Sequence, residues 1–178
     1  MTSPVEFTGL AAQARRLRPM IEANVAQVLD HGRFILGPEV ARLEEELKTF
    51  CGAGHVITCG NGTDALQIAL MAHGIGHGDK VFVPSFTYTA TAEVILLLGA
   101  RPVFVDVSPE SFNIDCDHLE ALVVKEMSAG GRGAIIGVDL FGLPAAWGRL
   151  DHIARNHELA PLARADPPRR HIIELHPV

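Results

Sequence analysis

Cysteine is sparse in this sequence. Cys51, Cys59 and Cys116 are odd in number and lack CxxC spacing, so they read as reduced thiols of a cytosolic protein, each a small apolar residue. Long apolar runs are missing. The longest, Val94 to Leu98, is far too short to span a bilayer. No apolar signal core opens the chain, since Arg15, Arg16 and Arg18 follow a mixed segment, and a soluble, cytoplasmic protein is expected. An excess of positive charge is also absent. With a net charge of −6, nothing points to nucleic acid or an acidic membrane surface as a partner. Lysine is scarcest of the charged residues, present only as Lys48, Lys80 and Lys125. What remains is an ordinary globular balance: 178 residues, 48% hydrophobic and 20% charged, enough for a domain with a real core.

One stretch organises the rest. His55-Val56-Ile57-Thr58 reads as a strand, Cys59-Gly60-Asn61-Gly62-Thr63-Asp64 as a glycine-rich turn, and Leu66 to Met71 as a helix closing near Gly74. That order aims free backbone N–H groups and the positive helix end at an anion. Gly60 and Gly62 clear side chains from a phosphate's approach, and the Thr63 hydroxyl adds a donor. The plain alternative is a capped helix, with Asn61 as N-cap and Asp64 as the third helical residue.

Upstream, Ala11 to Asp30 is apolar at helical spacing. Pro38 then opens a second helix whose stripe of Val40, Leu43, Leu47 and Phe50 predicts a buried face. From His55 onward strands and helices alternate. His55–Cys59, Val81–Pro84, Pro102–Val105 and Ala134–Val138 are the strand candidates. Helices are expected at Asp64–His73, Thr89–Leu98, Asp117–Met127 and Ala145–His157. Near-continuous apolar strands between helices imply a mostly parallel sheet covered on both faces, with ligands at the carboxyl ends of strands. From Ala160 the pattern collapses into Pro161, Pro167, Pro168 and Pro177 among arginines, which predicts a poorly ordered tail.

Gly60-x-Gly62-x-x-Ala65 matches a dinucleotide-binding pattern, but the second strand ends Phe82-Val83-Pro84-Ser85 without the acid that would hold a ribose. A dehydrogenase is therefore a distant possibility. A Walker loop fails for want of Gly-Lys-Ser/Thr. Phe86 and Tyr88, at a helix entrance near the turn, are suited to stacking on a flat heteroaromatic ring or simply to packing.

These residues resemble the DegT/DnrJ/StrS-type pyridoxal-phosphate-dependent sugar aminotransferases over about Phe34 to His157. The shared segments are Phe34–Glu39, Gly60–Leu66, Gly76–Val81, Pro84–Tyr88, Gly99–Asp106, Phe112–Asp115 and Asp139–Ala145. The resemblance implies a three-layer α/β fold with a mostly parallel sheet, an incomplete large domain of the fold-type I pyridoxal enzymes. It implies that Gly62, Thr63 and Asp64 hold the phosphate of pyridoxal 5'-phosphate, with the Asp64 carboxylate turned away, while Tyr88 stacks on the ring. It implies transfer of an amino group from glutamate to a keto-sugar nucleotide by a homodimer with no metal.

The sequence departs from the family after Leu159. The aspartate that pairs with the pyridine nitrogen, the glutamine and the Schiff-base lysine have no counterparts, and Asp166 beside Pro167-Pro168 does not fit the role. The expected organisation is 1–36 as an N-terminal helix and connector, 37–159 as a partial large domain and 160–178 as an irregular tail. The chain resembles the front portion of an aminotransferase, inactive alone, with any cofactor bound weakly and non-covalently. The alternative is a non-catalytic module that binds a phosphate ligand or mediates dimerisation.

Overall fold

The structure is a computed structural model and describes residues 9–128 and 130–162. It divides into two compact units, 1–51 and 52–178, so the helix opened by Pro38 groups with the N-terminal helix rather than with the sheet. In the first unit, helix α1 (Leu10–His31) continues through Pro19 and stops at Gly32, whose left-handed backbone (φ 66°) lets its amide bond the Val28 carbonyl. Helix α2 (Pro38–Cys51) follows, and His31 Nε2 lies 3.1 Å from Glu39 Oε1 across the connector. The apolar stripe of α2 forms as expected, but it is not buried: Leu43, Leu47 and Phe50 are exposed. An amphipathic pattern specifies a face that favours burial, and the face must still meet a partner.

The second unit is a four-stranded, wholly parallel sheet in the order β2-β1-β3-β4, made of β1 (Lys80–Pro84), β2 (Arg101–Val105), β3 (Gly133–Ile136) and β4 (Ala160–Leu162). Helices α3 (Gly62–Ala72), α4 (Ala90–Leu97), α5 (Cys116–Met127) and α6 (Trp147–Asn156) cover it. Strand alternation splits the core in two. Val81, Val83, Ala134 and Ile136 pack with Leu66 and Leu70 of α3 and Val94 and Ile95 of α4. Phe82, Val103, Val105 and Ile135 point the other way, onto Leu119 and Val123 of α5 and Leu150 and Ile153 of α6. The result is the expected three-layer arrangement. Each fully buried side chain of this size contributes about 1.5–3 kcal/mol, so the layers are held mainly by these two clusters.

Two expectations are corrected here. His55–Cys59 forms no strand, and Ile57 is 82% exposed. Its β-branched residues favour extended backbone, but a strand needs a ladder partner, and β1 is already flanked by β2 and β3. Conversely, Ala160–Leu162 does form a strand, beside β3 at the sheet margin, where proline is tolerated. The expected irregularity is thus not found at 160–162, and 163–178 lies outside the described residues. No helix among the described residues is long and apolar enough to cross a membrane.

Candidate functional site

The order of strand formation sets where the chemistry collects. From β1 the chain crosses through α4 to β2 on one side, then through α5 to β3 on β1's other side. The winding reverses between β1 and β3, and the crevice outside their carboxyl ends is where open α/β sheets bind ligands. Helix α4 begins just beyond the carboxyl end of β1. Helix α3 precedes the amino end of β1 and packs on the same face as α4, so its first turn also lies toward the carboxyl end.

At the start of α3, Asn61 is extended (φ −166°) and caps the helix. Its Oδ1 accepts from the Asp64 amide at 2.9 Å, and its Nδ2 donates to Asp64 Oδ2 at 3.0 Å. The capped-helix alternative therefore describes this turn correctly at the level of Asn61 and Asp64. It does not use up the turn's donors. The first amides of a helix have no intrahelical acceptor, and those of Gly62 and Thr63 have none among the described residues. Cys59 Sγ donates to the Asn61 carbonyl at 3.3 Å, a contact that occupies neither amide.

Of the predicted site residues, Gly62, Thr63 and Asp64 share this turn, and Tyr88 stands at the entrance to α4. Tyr88 is 78% exposed. The short segment that carries it is tied down: the Ser85 amide donates to Val105 O at 2.8 Å, and the Thr87 and Thr91 hydroxyls are 3.3 Å apart. Phe86 does not enter the core. It joins Phe112 and Phe141 in a cluster of exposed rings.

Several residues at this end were visible in the sequence only as shared motif positions without a role. Asp139, just past β3, accepts at Oδ1 from the Ala145 amide (2.8 Å) and the Trp147 indole (2.9 Å). The indole lies against Gly137, where a Cβ would stand 2.4 Å from its ring carbons, so only glycine admits it. Asn113 is buried and spans the Leu140–Leu143 turn. A buried asparagine among apolar neighbours is the signal that finds such a residue, since its amide must be satisfied by specific partners.

Lys80 and Lys125 lie elsewhere in the second unit. Lys80 opens β1 at the opposite, amino end of the sheet, where its Nζ donates to the Glu126 carbonyl and lies 3.7 Å from the Glu126 carboxylate. Arg101 bonds the same carboxylate and holds its pKa below the usual range. Lys125 is near the end of α5, which runs toward that amino end. Lys48 belongs to α2, in the first unit.

A sequence model of the DegT/DnrJ/EryC1/StrS aminotransferase family matches residues 16–163. A relative from Pseudomonas aeruginosa, UDP-2-acetamido-2-deoxy-3-oxo-D-glucuronate aminotransferase, is 46% identical over 153 residues, covering 86% of this chain. A DegT DnrJ EryC1 StrS aminotransferase from Brucella abortus has a crystal structure that superposes with a TM-score of 0.83 at 48% identity, covering 89% of this chain and 43% of that one. The S. venezuelae DesV structure, solved in complex with a ketimine intermediate, superposes with a TM-score of 0.80 at 37% identity over 90% of this chain and 42% of its own. The chain spans 41% of the length of the Pseudomonas relative. The shared architecture is that of the fold-type I pyridoxal enzymes, and pyridoxal phosphate is the cofactor this likeness indicates: matched structures include a Streptococcus pneumoniae sugar aminotransferase in its PLP form and NtdA from Bacillus subtilis with bound PMP. With the family model covering most of its length and relatives well above 30% identity, this chain belongs to the DegT/DnrJ/EryC1/StrS aminotransferase family.

Proposed function

We propose that this chain is the phosphate-cradling part of a pyridoxal-phosphate-dependent aminotransferase that moves an amino group from glutamate to a keto-sugar nucleotide. The observation that carries the reading is the unpaired amides of Gly62 and Thr63 at the carboxyl end of a parallel sheet, beside the point where its winding reverses. The names of the relatives, which include a UDP-sugar aminotransferase and a dTDP-sugar transaminase, support the substrate class. The protein is proposed to work in the cytoplasm as a homodimer.

These residues fit the cofactor's phosphate on chemical grounds. Two free amides and the positive end of α3 attract a dianion, and the Thr63 hydroxyl can donate a further bond. The Asp64 carboxylate is turned toward Asn61 Nδ2, which keeps its charge occupied while still favouring the helix N-terminus. Tyr88 offers an exposed ring face at the same end of the sheet. When bound, pyridoxal phosphate supplies an electron sink for cleavage at the substrate's α-carbon.

A second reading is favoured by the lysines. Lys80 and Lys125 are at the wrong end of the sheet, and Lys80 is already engaged by Glu126. In this 178-residue chain the turn is then proposed to bind a phosphate ligand without catalysis, or to serve a dimer with a longer relative, and cofactor binding is non-covalent and weak. Titration with pyridoxal phosphate, followed by fluorescence, tests the cradle. Gly62→Val places a β-branched side chain at the turn and should weaken binding tenfold or more, since a lost bond to a charged group costs about 1.5–3 kcal/mol. Equal affinity in parent and variant would remove this turn from the site.

A further inference from the structure

Asn113 is among the few polar side chains buried in the second unit. Its Nδ2 donates to Leu143 O at 2.9 Å and its Oδ1 accepts from the Leu140 amide at 3.2 Å. One side chain thus grips both ends of the Leu140–Leu143 turn. Between those ends stands Phe141, with a left-handed backbone (φ 56°), and the residue before Asn113 is Phe112, also left-handed (φ 59°). Their rings meet nearly edge to face, centroids 6.2 Å apart. Both also meet Phe86, at 5.7 Å from Phe112 and 6.5 Å from Phe141.

Core packing alone does not account for this arrangement. Phe86, Phe112 and Phe141 remain 50%, 44% and 73% exposed, and none of them belongs to either core cluster. Two of the three sit in backbone that disfavours any residue with a Cβ, and such conformations persist where surrounding contacts over-determine them. What the rings do have in common is location. They follow β1, β2 and β3 at their carboxyl ends, and Phe86 is two residues before Tyr88. The Tyr88 segment is held on its other side by the Thr87–Thr91 contact and by the Thr91 amide on the Tyr88 carbonyl (3.0 Å).

We infer that Asn113 and the Phe86–Phe112–Phe141 cluster are positioning residues for Tyr88. Asn113 fixes the turn that presents Phe141, the rings of Phe112 and Phe141 brace Phe86, and the braced Ser85–Thr89 segment shows Tyr88 to the site in one orientation. The consequence for the cofactor rests on the proposed role of Tyr88. The bracing itself does not.

Tyr88 is the sole tyrosine of the chain, so growth on 3-fluorotyrosine gives the full chain one fluorine resonance. The expected result is a single narrow line in the parent and a shifted or broadened line in Phe141→Ala and Asn113→Ala. Phe141→Trp, which restores a ring, should return the parent line, and Leu96→Ala, an exposed apolar change on α4, should leave it unmoved. Phe141→Ala guards against Asn113→Ala failing to fold, because an exposed ring can be removed without opening the core. If the segment samples its competent orientation only a third to a tenth of the time, pyridoxal phosphate affinity falls about threefold to tenfold, with recovery in Phe141→Trp. An unmoved fluorine line in folded Phe141→Ala overturns the positioning inference whatever the cofactor does. A moved line with unchanged cofactor affinity upholds it and refutes the cofactor role of Tyr88 instead.

Discussion

Replacing Gly137 by alanine puts one methyl group where the Trp147 ring already lies. The added Cβ would stand 2.4 Å from two ring carbons and 2.9 Å from Leu150 Cδ1, well inside any real contact. The Leu150 methyl can rotate away. The indole is held by its Nε1 bond to Asp139, and moving the ring breaks that bond. Overpacking costs about 1–3 kcal/mol, and a hydrogen bond to a carboxylate adds about 1.5–3 kcal/mol. The two together predict a loss of about 2.5–6 kcal/mol, which in a chain of this length lowers the melting temperature by about 5–24 °C. Trp147 is the chain's one tryptophan, so its emission should shift to the red as the ring is pushed toward water. Combining Gly137→Ala with Trp147→Leu should cost less than the two changes summed, because the clash is then gone. A Gly137→Ala chain with the parent's melt and the parent's emission would refute the packing described between β3 and α6.

Borohydride reduction with pyridoxal phosphate, followed by peptide mass spectrometry, should label Lys48, Lys80 and Lys125 sparsely and without preference. Stoichiometric label on one of them, accompanied by turnover with glutamate and a keto-sugar nucleotide, would overturn the proposal that the cofactor binds non-covalently. Glu126→Gln tests the charged cluster at the amino end. The hydrogen bond from Arg101 lowers the folded-state pKa of Glu126 below its ordinary 4.5, so its contribution to stability is present above that value and lost as pH falls. Thermal melts across the acid range should show parent and variant separated near neutrality and converging below about pH 4.5. A gap that widens on acidification would have the wrong sign.

Much of the layered fold is legible in the sequence because its signals are local. Runs rich in valine or isoleucine between amphipathic segments mark β1, β2 and β3, and Asp115 caps α5 through bonds to the amides of Asp117 and His118. His55–Cys59 misleads because strand preference belongs to a residue whereas strand formation belongs to a pair. Ala160–Leu162 misleads in the opposite direction, since a margin next to β3 accepts a proline that a central position would not. At the candidate site, the turn at Gly62 and Thr63 is readable from glycine spacing. The Asn113 bridge is not, because its partners Leu140 and Leu143 lie 27 and 30 residues away and contribute only backbone groups. Backbone acceptors leave no trace in residue identity.

The division of the core by the sheet bears on how such a chain tolerates change. Phe82 and Val83 are adjacent in sequence and both fully buried, yet they belong to different clusters. Between the clusters lies a hydrogen-bonded backbone layer whose geometry depends little on side-chain identity. Substitutions on the α3–α4 side, which carries the Gly62–Thr63 turn, should therefore combine with substitutions on the α5–α6 side almost independently. The face that holds the candidate site can be held constant while the opposite face drifts, and a lineage can change most of one core without renegotiating the other.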